Sequence, residues 1–158
     1  MLDSHEFARN GYRVAMIARH VNSLVEAAEE INKAYSLDDD SKAVPFPISE
    51  YSRAEIERAF DEIKKTWPGG EIRVAVFNTG HRVAKPFLEL TQEDIGMRSY
   101  IPRECKILNY RPSQSDASIN VNIQGAFAFA RCAILCFREY QINEIGYRGC
   151  LIFTYVRQ

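Results

Sequence analysis

The sequence predicts an α/β fold, a doubly wound parallel sheet with helices on both faces. Three observations lead there. Along the first half of the chain, short apolar runs alternate with segments of helical period, the rhythm of right-handed βαβ units. The run Ile72-Arg73-Val74-Ala75-Val76 reads as a fully buried strand that closes on Phe77-Asn78-Thr79-Gly80. A small-residue turn at such a strand end lets a nucleotide approach the backbone. A length of 158 residues fits a single domain, 1–158, with a real core.

Leu2 to Arg9 read as the last turns of a helix, stopped by Asn10-Gly11, two residues that tolerate the left-handed conformation of a C-cap. Tyr12 to Ala18 has the pattern of a buried strand. Asn22 or Ser23 caps the next helix, whose apolar positions Leu24, Val25, Ala28 and Ile31 keep helical spacing. The acidic run Leu37 to Ser41 is a surface loop. Ala43-Val44-Pro45-Phe46-Pro47-Ile48 is a short strand that its two prolines confine to a sheet edge or an irregular segment. Ser52 caps an amphipathic helix over Arg53 to Thr66, with Ile56, Ala59, Phe60 and Ile63 on one face. Pro68-Gly69-Gly70 turns into the strand that ends at Asn78.

Beyond that strand, Pro86 to Leu90 leads to Thr91-Gln92-Glu93-Asp94, an N-cap with an acidic first turn. Residues 96–118 then carry Pro102 and Pro112 and no steady period where a helix should run on. Proline inside a helix costs ~3 kcal/mol. Helical character resumes from Ile119 through Phe137, and Gly149 to Thr154 reads as another buried strand.

A formal net charge of −1 argues against a nucleic-acid or anionic-membrane partner. Met1 to Glu6 has neither the basic nor the apolar region of a signal peptide. The most apolar stretch, Gly125 to Phe137, is interrupted by Arg131 and too short to span a bilayer. These features point to a cytoplasmic protein without a membrane partner. Cys132 and Cys136 share a helix face, no Cys-x-x-Cys pair is present, and His5, His20 and His81 are scattered. The four cysteines are therefore expected to be buried small hydrophobes, with no metal site and no disulfide.

Three blocks, in their order and spacing, resemble the short-chain dehydrogenase/reductase family. Phe7 to Arg19 resembles the end of the family's first helix and its second strand. Val74-Ala75-Val76-Phe77-Asn78-Thr79-Gly80 resembles the fourth strand and the Asn-Ala-Gly turn, with Thr79 in place of the usual Ala. Ile119-Asn120-Val121-Asn122-Ile123-Gln124-Gly125-Ala126-Phe127 resembles the helix segment that carries the family's structural and catalytic Asn. Leu88-Glu89-Leu90-Thr91 and Gly149 to Thr154 fit as well.

The resemblance implies a partial Rossmann-like doubly wound parallel sheet and an NAD(P)-dependent oxidoreductase acting on a small-molecule carbonyl or alcohol. It implies that Asn78, Thr79 and Gly80 line the adenosine-ribose side of the cofactor. Asn122 matches the active-site Asn, or else is a helix-bend residue satisfying backbone groups. Arg19 falls just past the second strand, where an acidic residue suits a free 2′-hydroxyl and Arg suits a 2′-phosphate, so NADP is preferred to NAD. The alternative for Arg19 is an ordinary solvated arginine. Ser49 lies near the position where the family has an Asp beside the adenine. His81 follows the turn as a surface histidine, with a catalytic role as the alternative.

Two family signatures are missing from these 158 residues. No Gly-x-Gly-x-x-Gly spacing occurs, and none of the eight tyrosines is followed four positions later by Lys. The former would bring backbone N–H groups to the pyrophosphate, and the latter supplies the proton transfer that accompanies hydride transfer. In the family the strand order is 3-2-1-4-5. The expectation is therefore a member cut at both ends and lacking its first strand, catalytically inactive as it stands. The block at 96–118 is expected to be an insert, either a retained intron or a genuine loop. Two other readings compete. One is a non-catalytic interaction module that pairs with a full-length subunit, since family homo-oligomers form through helices beside the missing strands. The other is an unrelated α/β binding domain.

Overall fold

The computed structural model describes residues 4–35, 42–79, 87–89 and 119–154, which belong to two compact units, 1–70 and 71–158. In the first unit, helix α1 (Ser4–Arg9) stops at Gly11, whose φ of 82° is the left-handed conformation that favours glycine. The amide of Tyr12 donates to Phe7 O at 3.0 Å and that of Gly11 to Ala8 O at 3.0 Å. The Phe7 and Tyr12 rings meet edge to face with centroids 5.8 Å apart. These are the two bonds and the apolar contact of a Schellman stop. Because the Tyr12 amide closes the helix, strand β1 starts only at Val14 and runs to Ala18.

Helix α2 (Val21–Tyr35) follows after two residues, and this changes its expected start. Leu24 N donates to His20 O at 3.0 Å, so His20 occupies the cap, while Asn22 and Ser23 lie exposed inside the first turn. Leu24, Ala28 and Ile31 are buried as expected, whereas Val25 is on the exposed flank. Ala8, Ala28, Ile31 and Ala43 form a core against which Val14, Met16 and Tyr35 pack.

Strand β2 (Ala43–Pro47) pairs parallel to β1, with Val14 opposite Ala43 and Ala18 opposite Pro47. Ile48 N donates to Ala18 O at 3.0 Å. By alternation, Val44, Phe46 and Ile48 turn their backbone groups to β1, while Ala43, Pro45 and Pro47 turn theirs outward. That outer edge is closed. The Asn32 side chain takes both Ala43 groups, donating from Nδ2 to the carbonyl at 3.0 Å and accepting the amide on Oδ1 at 2.7 Å. Pro45 and Pro47 carry no N–H, and Pro47 O accepts from Arg58 Nη2 at 2.8 Å. The prolines thus sit on an edge, as the sequence predicts. Helix α3 (Arg53–Thr66) buries Ile56, Ala59, Phe60 and Ile63, and Ser52 caps it by accepting the Glu55 amide. Gly69, at φ 76°, makes the expected turn.

In the second unit, β3 (Val74–Phe77) pairs parallel to β4 (Cys150–Phe153) in the register Val74 to Cys150 and Phe77 to Phe153. Between them in sequence lie a 3-10 turn at Phe87–Glu89, a π-helical stretch at Asn120–Gly125 and helix α4 (Ala126–Glu139). Helix α4 buries Ala128, Cys132, Ala133, Cys136 and Phe137. Phe77 joins Phe129 and Phe153 at centroid distances of 5.4 and 5.8 Å. A Cβ on Gly149 would stand 2.3 Å from Phe137 Cδ1, so the chain entering β4 passes this close to the helix only because residue 149 has no side chain. Arg73 fastens the intervening loop: Nη1 donates to Gln141 O and Arg148 O at 3.1 and 3.0 Å, and the guanidinium lies against the Tyr140 ring.

Each unit holds one parallel two-stranded ribbon with helices, so the fold is a partial Rossmann-like α/β fold. The family's first strand has no counterpart among the described residues. Three expectations need correction. The strands are half-buried rather than buried: β1 is partly exposed throughout, only Ala75 and Phe77 of β3 are covered, and β4 exposes Cys150 and Phe153. Each described strand has one neighbour, so each lacks part of the cover that a wider sheet gives. Cys132 and Cys136 are buried thiols as expected, but Cys150 is exposed. The helical stretch Asn120–Glu139 is 20 residues long and, by length and composition alone, is long and apolar enough to cross a membrane. The expectations for Gly80, His81, Cys105, the 37–41 loop, the cap at 91–94 and the block 96–118 lie outside the described residues.

Candidate functional site

In parallel α/β sheets, ligands bind beyond the carboxyl ends of the strands. In the first unit that end carries Arg19, directly after β1, and Ser49 to Ser52, directly after β2. Arg19 is exposed, and its guanidinium lies over the Tyr51 ring at 5.3 Å from the centroid. Among the described residues no carboxylate is paired with it. A guanidinium held against an aromatic face can still present N–H groups to an anion.

The loop that carries Tyr51 is tied down. Ser49 donates from both its amide and its hydroxyl to Glu55 Oε2, at 2.7 and 3.0 Å. Arg58 grips the same carboxylate with two N–H groups at 3.0 Å each and reaches Glu62 Oε1 at 2.8 Å. Hydrogen bonds from Arg58 first, then from the Ser49 amide and hydroxyl, lower the Glu55 carboxyl to about 2. Glu55 and Glu62 in turn raise the Arg58 guanidinium. Ser49 is therefore at the expected strand end, with both donors engaged by a neighbouring carboxylate.

In the second unit, Asn78 and Thr79 follow β3, the former exposed and the latter half-buried. The Thr154 hydroxyl, one residue past β4, donates to Asn78 Oδ1, and the Thr154 amide donates to Phe77 O at 3.1 Å. Asn78 is thereby oriented by the neighbouring strand. Asn122 lies exposed in the π-helical stretch. A π-helical turn inserts a residue into the α ladder and is frequent at functional sites. Sequence reasoning missed Tyr51, Thr154 and the Glu55–Arg58 pair. Thr154 is legible once β3 and β4 are aligned in register, whereas Tyr51 has no sequence signal.

A family model for short chain dehydrogenases matches residues 4–141. The chain belongs to the short-chain dehydrogenase/reductase family. Solved structures with the same fold include a short-chain type dehydrogenase/reductase from Mycobacterium marinum, at TM-score 0.67 and 20% identity, covering 95% of this chain and 48% of that one. An alcohol dehydrogenase from the archaeon Thermococcus sibiricus, complexed with 5-hydroxy-NADP, aligns at TM-score 0.63 and 18% identity over 86% of this chain and 47% of its own. L-Sorbose reductase from Gluconobacter frateurii, complexed with NADPH and L-sorbose, aligns at TM-score 0.65 and 14% identity over 95% and 45%. This short-chain dehydrogenase/reductase chain spans about half the length of those structures. Comparison with curated proteins gives no match.

Proposed function

We propose that the chain is the cofactor-side part of an NADP-dependent oxidoreductase that reduces a carbonyl or oxidises an alcohol on a small molecule. Its 158 residues by themselves hold nucleotide without turning over substrate. The observation that carries this reading is Arg19, placed at the carboxyl end of β1 and backed by Tyr51. NADP, when bound, supplies or accepts the hydride. Arg19 donates in-plane N–H groups to the 2′-phosphate, and a carboxylate at that position would repel it. The Ser49–Glu55–Arg58 network holds the adenosine-side loop. In the second unit, Asn78, held by Thr154, and Thr79 are the ribose-side residues that the family resemblance proposes, and Asn122 is the active-site Asn that it proposes. No residue here supplies the proton, since Tyr-x-x-x-Lys does not occur in the sequence.

Calorimetric titration with NADPH and NADH tests the reading. NADPH should bind more tightly, and Arg19→Ala should erase the difference while a panel of carbonyl substrates shows no NADPH oxidation. Equal binding of the two cofactors, or none of either, refutes the cofactor assignment; turnover refutes the inactivity. The second reading, a non-catalytic module that pairs with a full-length subunit, is favoured by one observation. Ile123, Phe127 and Ile134 are 63%, 72% and 49% exposed along the helical stretch. Co-purification with a full-length family member, lost on Phe127→Glu, would support it.

A further inference from the structure

We propose that Tyr51 is a positioning residue that sets the preference for a 2′-phosphorylated nucleotide by orienting Arg19. The inference rests on the cofactor reading above. Arg19 and Tyr51 are 32 positions apart, and the parallel register brings them together. Ala18 stands opposite Pro47, and Ile48 N bonds Ala18 O at 3.0 Å, so the chain leaves both strands at the same level. Arg19 follows at once, and Tyr51 comes four residues after Pro47.

Three separate ties stop the Tyr51 loop from moving. Before it, Pro47 O is held by Arg58 Nη2 at 2.8 Å, and Ser49 binds Glu55 Oε2 through its amide and hydroxyl. After it, Ser52 caps α3 through the Glu55 amide. Tyr51 is half-buried between these anchors, and its face carries the exposed Arg19. A guanidinium on a flexible stem loses much rotamer freedom when it binds an anion. Held over a fixed ring, it has lost part of that freedom already, and its N–H donors stay available to the oxygens of an anion. Only a ligand with an anion there gains from this, so the ring acts on discrimination rather than on nucleotide binding in general.

The test uses the full chain with adenosine 2′,5′-bisphosphate and adenosine 5′-monophosphate as probes in a calorimetric or NMR titration. Wild-type protein should bind the bisphosphate more tightly. Tyr51→Leu should weaken the bisphosphate about two- to fivefold, the affinity equivalent of an exposed cation–π contact, and leave the monophosphate unchanged. Tyr51→Phe, which keeps the ring face, should retain wild-type discrimination. In an Arg19→Ala background Tyr51→Leu should have no further effect. A merely structural Tyr51 would weaken both probes alike, and that result overturns the inference. So does wild-type discrimination in Tyr51→Leu when Arg19→Ala abolishes it, which leaves the cofactor reading intact. Failure of the wild-type chain to separate the two probes overturns both.

Discussion

Gly149→Ala should destabilise the second unit by closing a gap that the packing of β4 on α4 needs. The new Cβ would lie 2.3 Å from Phe137 Cδ1, 2.5 Å from Cε1 and 2.6 Å from Cγ. Carbon atoms in unstrained contact stand ~3.5–4.0 Å apart, so the deficit exceeds ~1 Å. The ring cannot swing clear, because Phe137 is 8% exposed and Cγ, next to its own backbone, is among the atoms struck. Overpacking of this kind costs about 1–3 kcal/mol. For a chain of this size that lowers the Tm by roughly 2–12 °C. Thermal and urea unfolding followed by circular dichroism would measure it. The cause is checked in a Phe137→Leu background, where the smaller side chain makes room and the Gly149→Ala cost should shrink by at least ~1 kcal/mol. A loss under ~0.5 kcal/mol, or an equal loss in both backgrounds, refutes the clash.

Three further outcomes follow from the first unit. The Glu55 carboxyl is lowered from 4.5 to about 2, so its contribution is complete above pH 4.5 and is lost as the pH falls towards 2; Glu55→Gln should flatten stability-against-pH curves in that window and leave their shape near neutrality unchanged. Ser52→Ala should cost ~1 kcal/mol in urea unfolding by removing the side-chain cap on α3. Asn32→Leu should cost ~1–3 kcal/mol, because the buried Ala43 would lose a partner for its N–H, and the same variant should aggregate faster in light-scattering assays.

What could be read in advance was what neighbouring residues decide among themselves. Asn10-Gly11 announces its helix stop because the conformation needed there is one that few residues accept. The stripe Ile56, Ala59, Phe60, Ile63 repeats at helical period and is buried as it stands. Pro45 and Pro47 lack the donor an inner strand needs, and they lie on an edge. The errors lie where a distant partner decides. Asn22 and Ser23 are good caps by type, but α2 starts at Val21 and the cap falls on His20. An apolar run shows that a strand seeks cover, not how many neighbours supply it, so the half-exposure of β1 and β4 was invisible. The π-helical turn around Asn122 has no compositional mark. Tyr51 gains a role only when two strands are aligned side by side, and an aromatic in a serine-rich loop gives no hint of an arginine so far back in the chain.

The shut outer margin of β2 has a consequence for how the β1–β2 ribbon can combine with other chains. Ala43 is occupied by Asn32, and the prolines offer no hydrogen to a newcomer. The backbone of Ala15 and Ile17, on the far flank of β1, points the other way. The ribbon therefore has a valence of one: a single guest strand satisfies it, and a second copy meeting it flank to flank ends the series at a pair. Open-ended stacking through this ribbon would require two willing sides, and evolution or chance has left it with only one.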